Sequence, residues 1–339
     1  MRFWVNRLLG VTGALALLYA ISVWATENLQ EYYFKVIILC GIYIILAVSL
    51  NLVNGITGQF SIGHGGFYAV GAYVGAAWTV LWQPEAARAL PLLQLNTLHG
   101  HIVNLLIALM LGAFAAGCTG FLVGLPSLRL RGDYLAIVTL GFGEVIRVVL
   151  LNIDAVGGAR GLIGIPSLVQ SGNLGFFWVF LFVVLLIAIS RNLLQSSYGL
   201  AFLAVREDEV AADATGVNTT RVKVTAFVLA AVFAGIAGVL YAHFFINISP
   251  DTFDMNTSII ITTMVVLGGS GSITGSVLAA TFLTAMPELL RDFKEYRMVI
   301  FSTLLILIML TRPQGLFGHG ELGYATFQRL IRSGRGKTL

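Results

Sequence analysis

Two ionisable residues, Glu144 and Arg147, interrupt a segment of the chain that is otherwise apolar. Their spacing of three places both side chains on one face of a helix. An ionisable group inside a membrane segment is costly unless it is paired or hydrated, so such a group is a candidate functional residue. Two interpretations stay open. Glu144 and Arg147 neutralise each other as an ion pair, or they form a gate or wall of a solute path.

The stretch from Gly55 to Gly66 combines five glycines with polar side chains at Gln59, Ser61 and His64. Such a stretch can unwind a helix beside a polar cavity, where backbone N–H and C=O groups contact a solute, as in the broken helices of transporters. The alternative is a tight turn whose small residues let two helices pack closely. For His64, a buried and hydrogen-bonded side chain is a simpler interpretation than a ligand.

A second glycine-rich stretch, 268–275, contains Gly269, Ser270 and Gly271. It is not a nucleotide phosphate loop, because that motif requires a lysine after its last glycine and the chain has no lysine between residues 223 and 294. Backbone that is broken at membrane depth must be buried in protein or line a water-filled cavity. These three residues are therefore candidates for a solute path, and any ATP must be hydrolysed by a partner.

The longest strongly polar stretch lies at 191–222. Good helix formers from Ala201 to Ala214, followed by Gly216, predict one helix of about 14 residues that ends at the glycine. The small and charged residues that this helix presents are Arg206, Glu207, Asp208, Glu209, Ala211 and Ala212. A docking surface for another protein and an ordinary solvated connector are the two interpretations.

The composition indicates a membrane protein. Of 339 residues, 58% are apolar and 11% are charged, whereas soluble domains carry about 25% charged residues. The net charge of +4 is too small to indicate a nucleic-acid groove. Cys40 and Cys118 lie in separate apolar runs, and the His99-x-His101 pair has no acid or thiol nearby, so neither a disulfide framework nor a metal site is predicted. The sequence contains no catalytic constellation, and we expect a protein that is not an enzyme.

A membrane-spanning helix needs about 20 mostly apolar residues. Eight segments approach that length, at 8–25, 36–53, 63–82, 102–124, 134–151, 175–190, 223–246 and 298–311. A further apolar region, 259–287, is interrupted by glycines and predicts two short passes or a re-entrant hairpin. The expected fold is therefore all-α, a polytopic membrane bundle of about ten transmembrane segments in a single domain.

The distribution of Lys and Arg predicts the orientation of this bundle. If the N-terminus lies in the cytoplasm, the inner loops and tail hold twelve of these residues and the outer loops hold six. Because cytoplasmic loops are enriched in Lys and Arg, both termini, the 191–222 segment and the tail 312–339 are expected there. The apolar run 8–25 also resembles a secretory signal, but it is longer than a usual signal core. A retained first helix is the expectation.

The polar segment resembles the coupling loop of ABC-transporter permeases, in which an acidic-Ala-Ala-then-Gly pattern on a short helix docks into a groove of the ATPase subunit. Ala211, Ala212 and Gly216 keep the family's spacing. Val210 stands where the general pattern has Glu, and the acid lies one residue earlier at Glu209. The resemblance implies that this segment couples the permease to an ATPase.

Three further stretches, 54–67, 131–144 and 268–275, are similar to the branched-chain amino-acid permease family and in particular to its LivM-type members. Urea-permease subunits share much of this pattern. The resemblance implies one permease subunit of an ABC importer in the bacterial inner membrane, driven by alternating access. Branched-chain and related neutral amino acids are the implied substrates, and urea or short amides are the alternative.

The implied partners are a homologous permease in a heterodimer, two cytosolic ATPases and an extracytoplasmic solute-binding protein, with the lipid bilayer around them and no nucleic acid. This chain itself binds no cofactor, since ATP and Mg belong to the ATPases. A self-sufficient secondary transporter is a third possibility, but proton or sodium coupling needs intramembrane acids, and Glu144 is the one that qualifies.

Overall fold

The structure is a computed structural model that describes residues 2–95, 97–130, 132–169, 174–312, 315, 316 and 318. Side chains are described from Gly13 onward, apart from residues 89, 91, 294 and 295. Arg131, which belongs to one of the family-like stretches, and residues 319–339 of the predicted cytoplasmic tail lie outside the described residues.

The described chain is almost entirely helical. Its α-helices are α1 (Arg2–Asn28), α2 (Glu31–Asn51), α3 (His64–Ala77), α4 (Gln83–Ala89), α5 (Leu98–Ser127), α6 (Asp133–Leu151), α7 (Gly175–Leu194), α8 (Ser197–Glu207), α9 (Glu209–Ala214), α10 (Thr219–Phe245), α11 (Met255–Gly268), α12 (Ile273–Leu289) and α13 (Arg297–Thr311). Two π-helical turns, Leu52–Ile56 and Trp78–Trp82, extend α2 and α3. Strands β1 (Leu162–Ile163) and β2 (Asn247–Ile248) form one short antiparallel pair. The predicted all-α helical bundle is confirmed.

Among the described residues, five helical stretches are long and apolar enough to cross a membrane: Glu31–Ile56, Leu98–Ser127, Asp133–Leu151, Gly175–Leu194 and Thr219–Phe245. They coincide with five of the eight predicted spans. Two shorter apolar helices, α12 and α13, accompany them. The region 259–287 is interrupted as its glycines indicate, because α11 ends at Gly268 and α12 begins at Ile273. The count of ten spans stays a prediction.

Polar side chains start several of these helices, as expected for residues that accept the unpaired N–H groups of a first turn. Thr97, Ser196, Asn218, Asp254 and Ser272 each accept a backbone N–H from the helix that follows. Local sequence therefore determines where α5, α8, α10, α11 and α12 begin. Apolar packing stabilises the interiors of these helices.

Helix α10 lies at the centre of the bundle, packed against α3 and α5. Glycines permit this packing. A Cβ atom added at Gly71 would lie 2.3 Å from the Cα of Gly235, and one at Gly112 would lie 2.9 Å from the carbonyl oxygen of Gly71. Without side chains at these positions the three backbones approach each other closely, which is the usual way in which helices associate in lipid.

The predicted single helix from Ala201 to Ala214 is wrong, because the structure has two helices there. Asp208 is extended, with φ −157° and ψ 110°, and separates α8 from α9. Its carboxylate accepts the N–H groups of Val210 and Ala211 at 2.8 and 3.1 Å. Asp is a strong N-cap residue and competes with the helical conformation at its own position. Gly216 ends the segment with a φ of +88°, as predicted.

Candidate functional site

The first glycine-rich stretch is a true interruption between α2 and α3. After the π-helical turn the chain leaves helical geometry, passes Gly58 with a φ of +68°, and resumes a helix at His64. The side chain of Asn54 holds the interruption in shape, because its amide nitrogen donates to the carbonyl of Ser61 and its amide oxygen accepts the Ser61 N–H, both at 3.0 Å. We call residues 57–63 the first break.

The first break packs tightly on neighbouring helices. The N–H of Ile62 donates to the hydroxyl of Thr139 on α6 at 3.2 Å, and a Cβ atom at Gly63 would lie 2.1 Å from the Thr139 carbonyl oxygen. The N–H of Gly65 donates to the hydroxyl of Ser258 on α11 at 3.1 Å. Gly63 and Gly65 therefore allow the backbone at the end of the first break to pack closely against α6 and α11.

The polar side chains predicted for this stretch are held by neighbouring groups. His64 is 2% exposed, and its Nε2 lies 2.9 Å from the hydroxyl of Ser49. The Ser49 hydroxyl also lies 3.0 Å from the Leu46 carbonyl oxygen. Gln59 is half-buried and donates to the Thr57 carbonyl at 3.2 Å, whereas Ser61 is buried. The interpretation of His64 as a buried, hydrogen-bonded residue agrees with this geometry.

The second glycine-rich stretch is the connection between α11 and α12, and we call residues 269–272 the second break. Gly269 and Gly271 have φ values of +106° and +94°, which side chains strongly disfavour. Ser272 caps α12 by accepting the Gly275 N–H at 3.1 Å. At the end of α11, the N–H of Leu316 donates to the carbonyl of Leu267 at 2.8 Å.

The second break contacts the end of α2 and the π-helical turn that leads into the first break, and it does so through Asn51, a residue that sequence reasoning missed. Asn51 is fully buried at the end of α2. Its amide oxygen accepts the Gly271 N–H at 2.8 Å, and its amide nitrogen donates to the Ser272 carbonyl at 3.2 Å. A Cβ atom at Gly55 would lie 2.2 Å from the Gly271 nitrogen. The only sequence signal was an amide side chain just before a predicted glycine-rich interruption.

Arg206, the penultimate residue of α8, lies against both breaks. A Cβ atom at Gly58 would lie 3.1 Å from the Arg206 Cγ, and one at Gly271 would lie 2.8 Å from a terminal nitrogen of its guanidinium. The polar 191–222 segment and the two breaks therefore lie at the same end of the bundle. Of the predicted contact residues in this segment, Arg206 reaches inward.

Two further contacts attach this segment to the bundle. Phe202 of α8 is 1% exposed and belongs to a small apolar cluster with Leu52, Ile56 and Ala226. Lys223 of α10 is almost fully buried, and its Nζ lies 2.6 Å from Oε1 of Glu209. Sequence reasoning did not select Lys223. Its signal was a single charge beside the apolar run of α10.

The outer surface of α8 and α9 is exposed and mixed in character. Glu207, Asp208, Ala211 and Gly216 are exposed, whereas Ala212 is buried. Apolar side chains stand among these charges, and those exposed by about two thirds are Tyr198, Leu200 and Val210. Exposed apolar groups surrounded by charges are typical of a surface that contacts another protein.

Glu144 and Arg147 form the predicted ion pair on α6, with Nε of Arg147 2.8 Å from Oε2 of Glu144. The guanidinium also lies 3.3 Å from Oδ1 of Asp251, in the turn that precedes α11. Neither of these two ion pairs involves a residue of the first or second break. The exposed fractions of the Arg147 and Glu144 side chains are 25% and 32%, so the pair is accessible.

Cys40 is buried and Cys118 is exposed, and both are free. Within the described part of the chain, no three His, Cys, Asp or Glu side chains come close enough together to hold a metal ion.

Comparison with known proteins identifies the family. Residues 32–310 match the family described as branched-chain amino acid transport system, permease component. The chain belongs to this family. The permease protein LivM of the high-affinity branched-chain amino acid transport system of Salmonella typhimurium is 39% identical over 305 residues, which cover 81% of this chain and 67% of that protein. The LivM protein of Escherichia coli is 38% identical with the same coverage.

The chain is also similar to a second type of permease from such systems. The LivH protein of Salmonella typhimurium is 28% identical over 311 residues, which cover 85% of this chain and 95% of that protein. No solved structure matches the chain. The family match and the apolar helices together show that the chain is a multi-pass membrane protein that takes part in transport.

Proposed function

We propose that this protein is a permease subunit of an ABC importer that moves branched-chain amino acids across the bacterial inner membrane. The observation that carries the proposal is the match to the branched-chain amino acid permease family, which extends over residues 32–310. The similarity to two LivM proteins supports the same substrate class. An importer of urea or short amides is the alternative, because its permeases share much of the sequence pattern.

The proposed complex contains a homologous permease, two ATPases and an extracytoplasmic solute-binding protein. Similarity to both LivM and LivH proteins supports a pair of different but homologous permeases. ATP and Mg are assigned to the ATPases, because the sequence has no phosphate-loop lysine. The excess of Lys and Arg in the predicted inner loops supports cytoplasmic termini and a cytoplasmic 191–222 segment.

We assign ATPase docking to the outer surface of α8 and α9, and the solute path to the two breaks and the Glu144–Arg147 pair. In this scheme the path residues are Gln59, Ser61, His64, Glu144, Arg147, Gly269, Ser270 and Gly271. The exposed mixture of charged and apolar groups on α8 and α9 supports the first assignment. Support for the second is the loss of helical geometry at the breaks, since broken helices in transporters contact solutes through their backbone.

Uptake of labelled leucine and labelled urea tests the function, with cells that have or lack this protein and with ATP present or depleted. We expect that deletion abolishes ATP-dependent leucine uptake and leaves urea uptake unchanged. Loss of urea uptake alone would favour the alternative. Uptake that continues without ATP would contradict an ABC importer.

Removing the charge of Glu144 is expected to lower transport while assembly stays intact. In Glu144→Gln the guanidinium of Arg147 keeps Asp251 as a partner at 3.3 Å, so the fold is retained, but the charge balance of the path changes. Leucine uptake and copurification of the partner subunits are the two measurements. The matched control is Glu31→Gln, which removes an exposed i,i+4 ion pair with Lys35. Normal transport by Glu144→Gln would refute a role in the path.

Reversing the exposed charges of the docking surface is expected to separate the permease from its ATPases. The variant Glu207→Lys with Asp213→Lys changes two exposed acids and leaves the Asp208 cap and the Glu209–Lys223 pair in place. Like charges at an interface cost several kcal/mol, so ATPase copurification should fall by roughly tenfold or more. Asp154→Lys, an exposed acid elsewhere in the chain, is the control. Unchanged copurification and uptake would make the segment only a connector.

A further inference from the structure

Arg206 of α8 lies beside a glycine of each break. Its backbone and Cγ lie beside Gly58, and its guanidinium lies beside Gly271. Both glycines have positive φ values, +68° and +94°. Because neither glycine has a Cβ atom, the Arg206 side chain can approach the backbone directly at both positions. No side chain larger than hydrogen fits at Gly271 without displacing Arg206, because its Cβ would lie 2.8 Å from that group.

The other attachments of the segment reach helical backbone, in the π-helical turn and in α10. Phe202 packs on the π-helical turn and α10, and Glu209 binds Lys223 of α10. The two breaks lack the continuous backbone hydrogen bonds of a helix and are held by side chains such as Asn54 and Asn51. A shift of α8 is therefore transmitted by Phe202 and the Glu209–Lys223 pair to helical backbone, and by Arg206 to the two breaks.

Asn51 attaches the second break to the end of α2, the helix that leads into the first break. The amide of Asn51 makes hydrogen bonds of 2.8 and 3.2 Å to Gly271 and Ser272. Gly55, four residues further along the chain, packs directly on the Gly271 backbone. Arg206 therefore contacts the first break at Gly58 and the second break at Gly271, and Asn51 attaches the second break to the end of α2.

We propose that Arg206 is a positioning residue that links α8 to both breaks, so that movement of α8 by the ATPase changes the opening of the solute path at the breaks. The proposal rests on the function proposed above and adds the route by which ATP hydrolysis reaches the path. Arg is suited to this position because its planar fork carries five donors that can follow the carbonyl groups of irregular backbone.

Arg206→Ala and Arg206→Lys test the link in the reconstituted importer with its ATPases and binding protein. Both variants should keep the ATPase subunits and hydrolyse ATP, but the amount of leucine transported per ATP should fall by roughly tenfold in Arg206→Ala and by less in Arg206→Lys. Arg129→Ala, an exposed arginine between α5 and α6, is the control and should keep the parental ratio. A parental ratio in Arg206→Ala would overturn the proposal, as would loss of the ATPases from both Arg206 variants, which would assign Arg206 to docking.

A second measurement follows the break itself. In a background with Cys40→Ala and Cys118→Ala, Ser270→Cys places a half-buried thiol in the second break. Its rate of modification by a water-soluble maleimide should change when a non-hydrolysable ATP analogue binds, and this change should disappear when Arg206→Ala is added. A change that persists in Arg206→Ala would overturn the link. A parent complex without ATP-driven leucine uptake would instead contradict the proposed function, and the present proposal with it.

Discussion

Gly55→Ala is expected to abolish leucine uptake and to lower the yield of folded permease. The added methyl group would lie 2.2 Å from the nitrogen of Gly271 and 2.0 Å from the amide oxygen of Asn51. Neither can move freely, because Asn51 is fully buried and bound to the Gly271 N–H. The substitution therefore separates the second break from the end of α2. Uptake in whole cells and the yield after size-exclusion chromatography are the measurements.

Gly141→Ala provides the matched control, since a Cβ atom there would meet nothing within 4 Å. Gly141 lies inside α6, where alanine is the better helix former, by roughly 1 kcal/mol. We expect this variant to be at least as stable as the parent and equally active. A Gly55→Ala protein with parental yield and uptake would show that the close approach of the π-helical turn to the second break is unimportant.

Glu209→Gln is expected to lower the stability of the permease by about 3 kcal/mol, the lower end of the usual cost of breaking a buried ion pair from one side, because the Glu209 side chain is 25% exposed. The ammonium group of Lys223 is 2% exposed and has Glu209 as its carboxylate partner at 2.6 Å. A neutral amide leaves that positive charge buried. The midpoint of thermal unfolding in detergent measures the effect, and ATPase copurification reports whether α9 stays in place.

Two comparisons make this result interpretable. Glu31→Gln breaks an ion pair whose side chains are 48% and 75% exposed, and exposed pairs contribute at most about 1 kcal/mol. Adding Lys223→Met to Glu209→Gln removes the buried charge together with its partner, so much of the lost stability should return. If Glu209→Gln unfolds at the same temperature as Glu31→Gln, the pair does not anchor α9.

Local features of the sequence determined a large part of the fold. Apolar runs of sufficient length placed five spanning helices, because lipid leaves a backbone few alternatives to the helix. The Glu144–Arg147 contact followed from a spacing of three, which a helix converts directly into proximity. Glycines at 268–275 indicated the interruption between α11 and α12. Asp208 is a local signal that was misread, since its capping ability divides one predicted helix into two.

Only the tertiary structure brought the site together. Asn51 and Gly55, Arg206, and Gly271 belong to three separate parts of the chain, and they meet because α2 with its π-helical turn, α8 and the second break are neighbours in the bundle. Hydrophobic periodicity shows which face of a helix is buried, but it does not show which helix covers that face. The partner of Lys223 was hidden for the same reason. The sequence by itself indicated a helical membrane permease with an interruption at 268–275 and left a broken helix or a tight turn open at 55–66, whereas three-dimensional packing decided that both breaks lie beside one arginine.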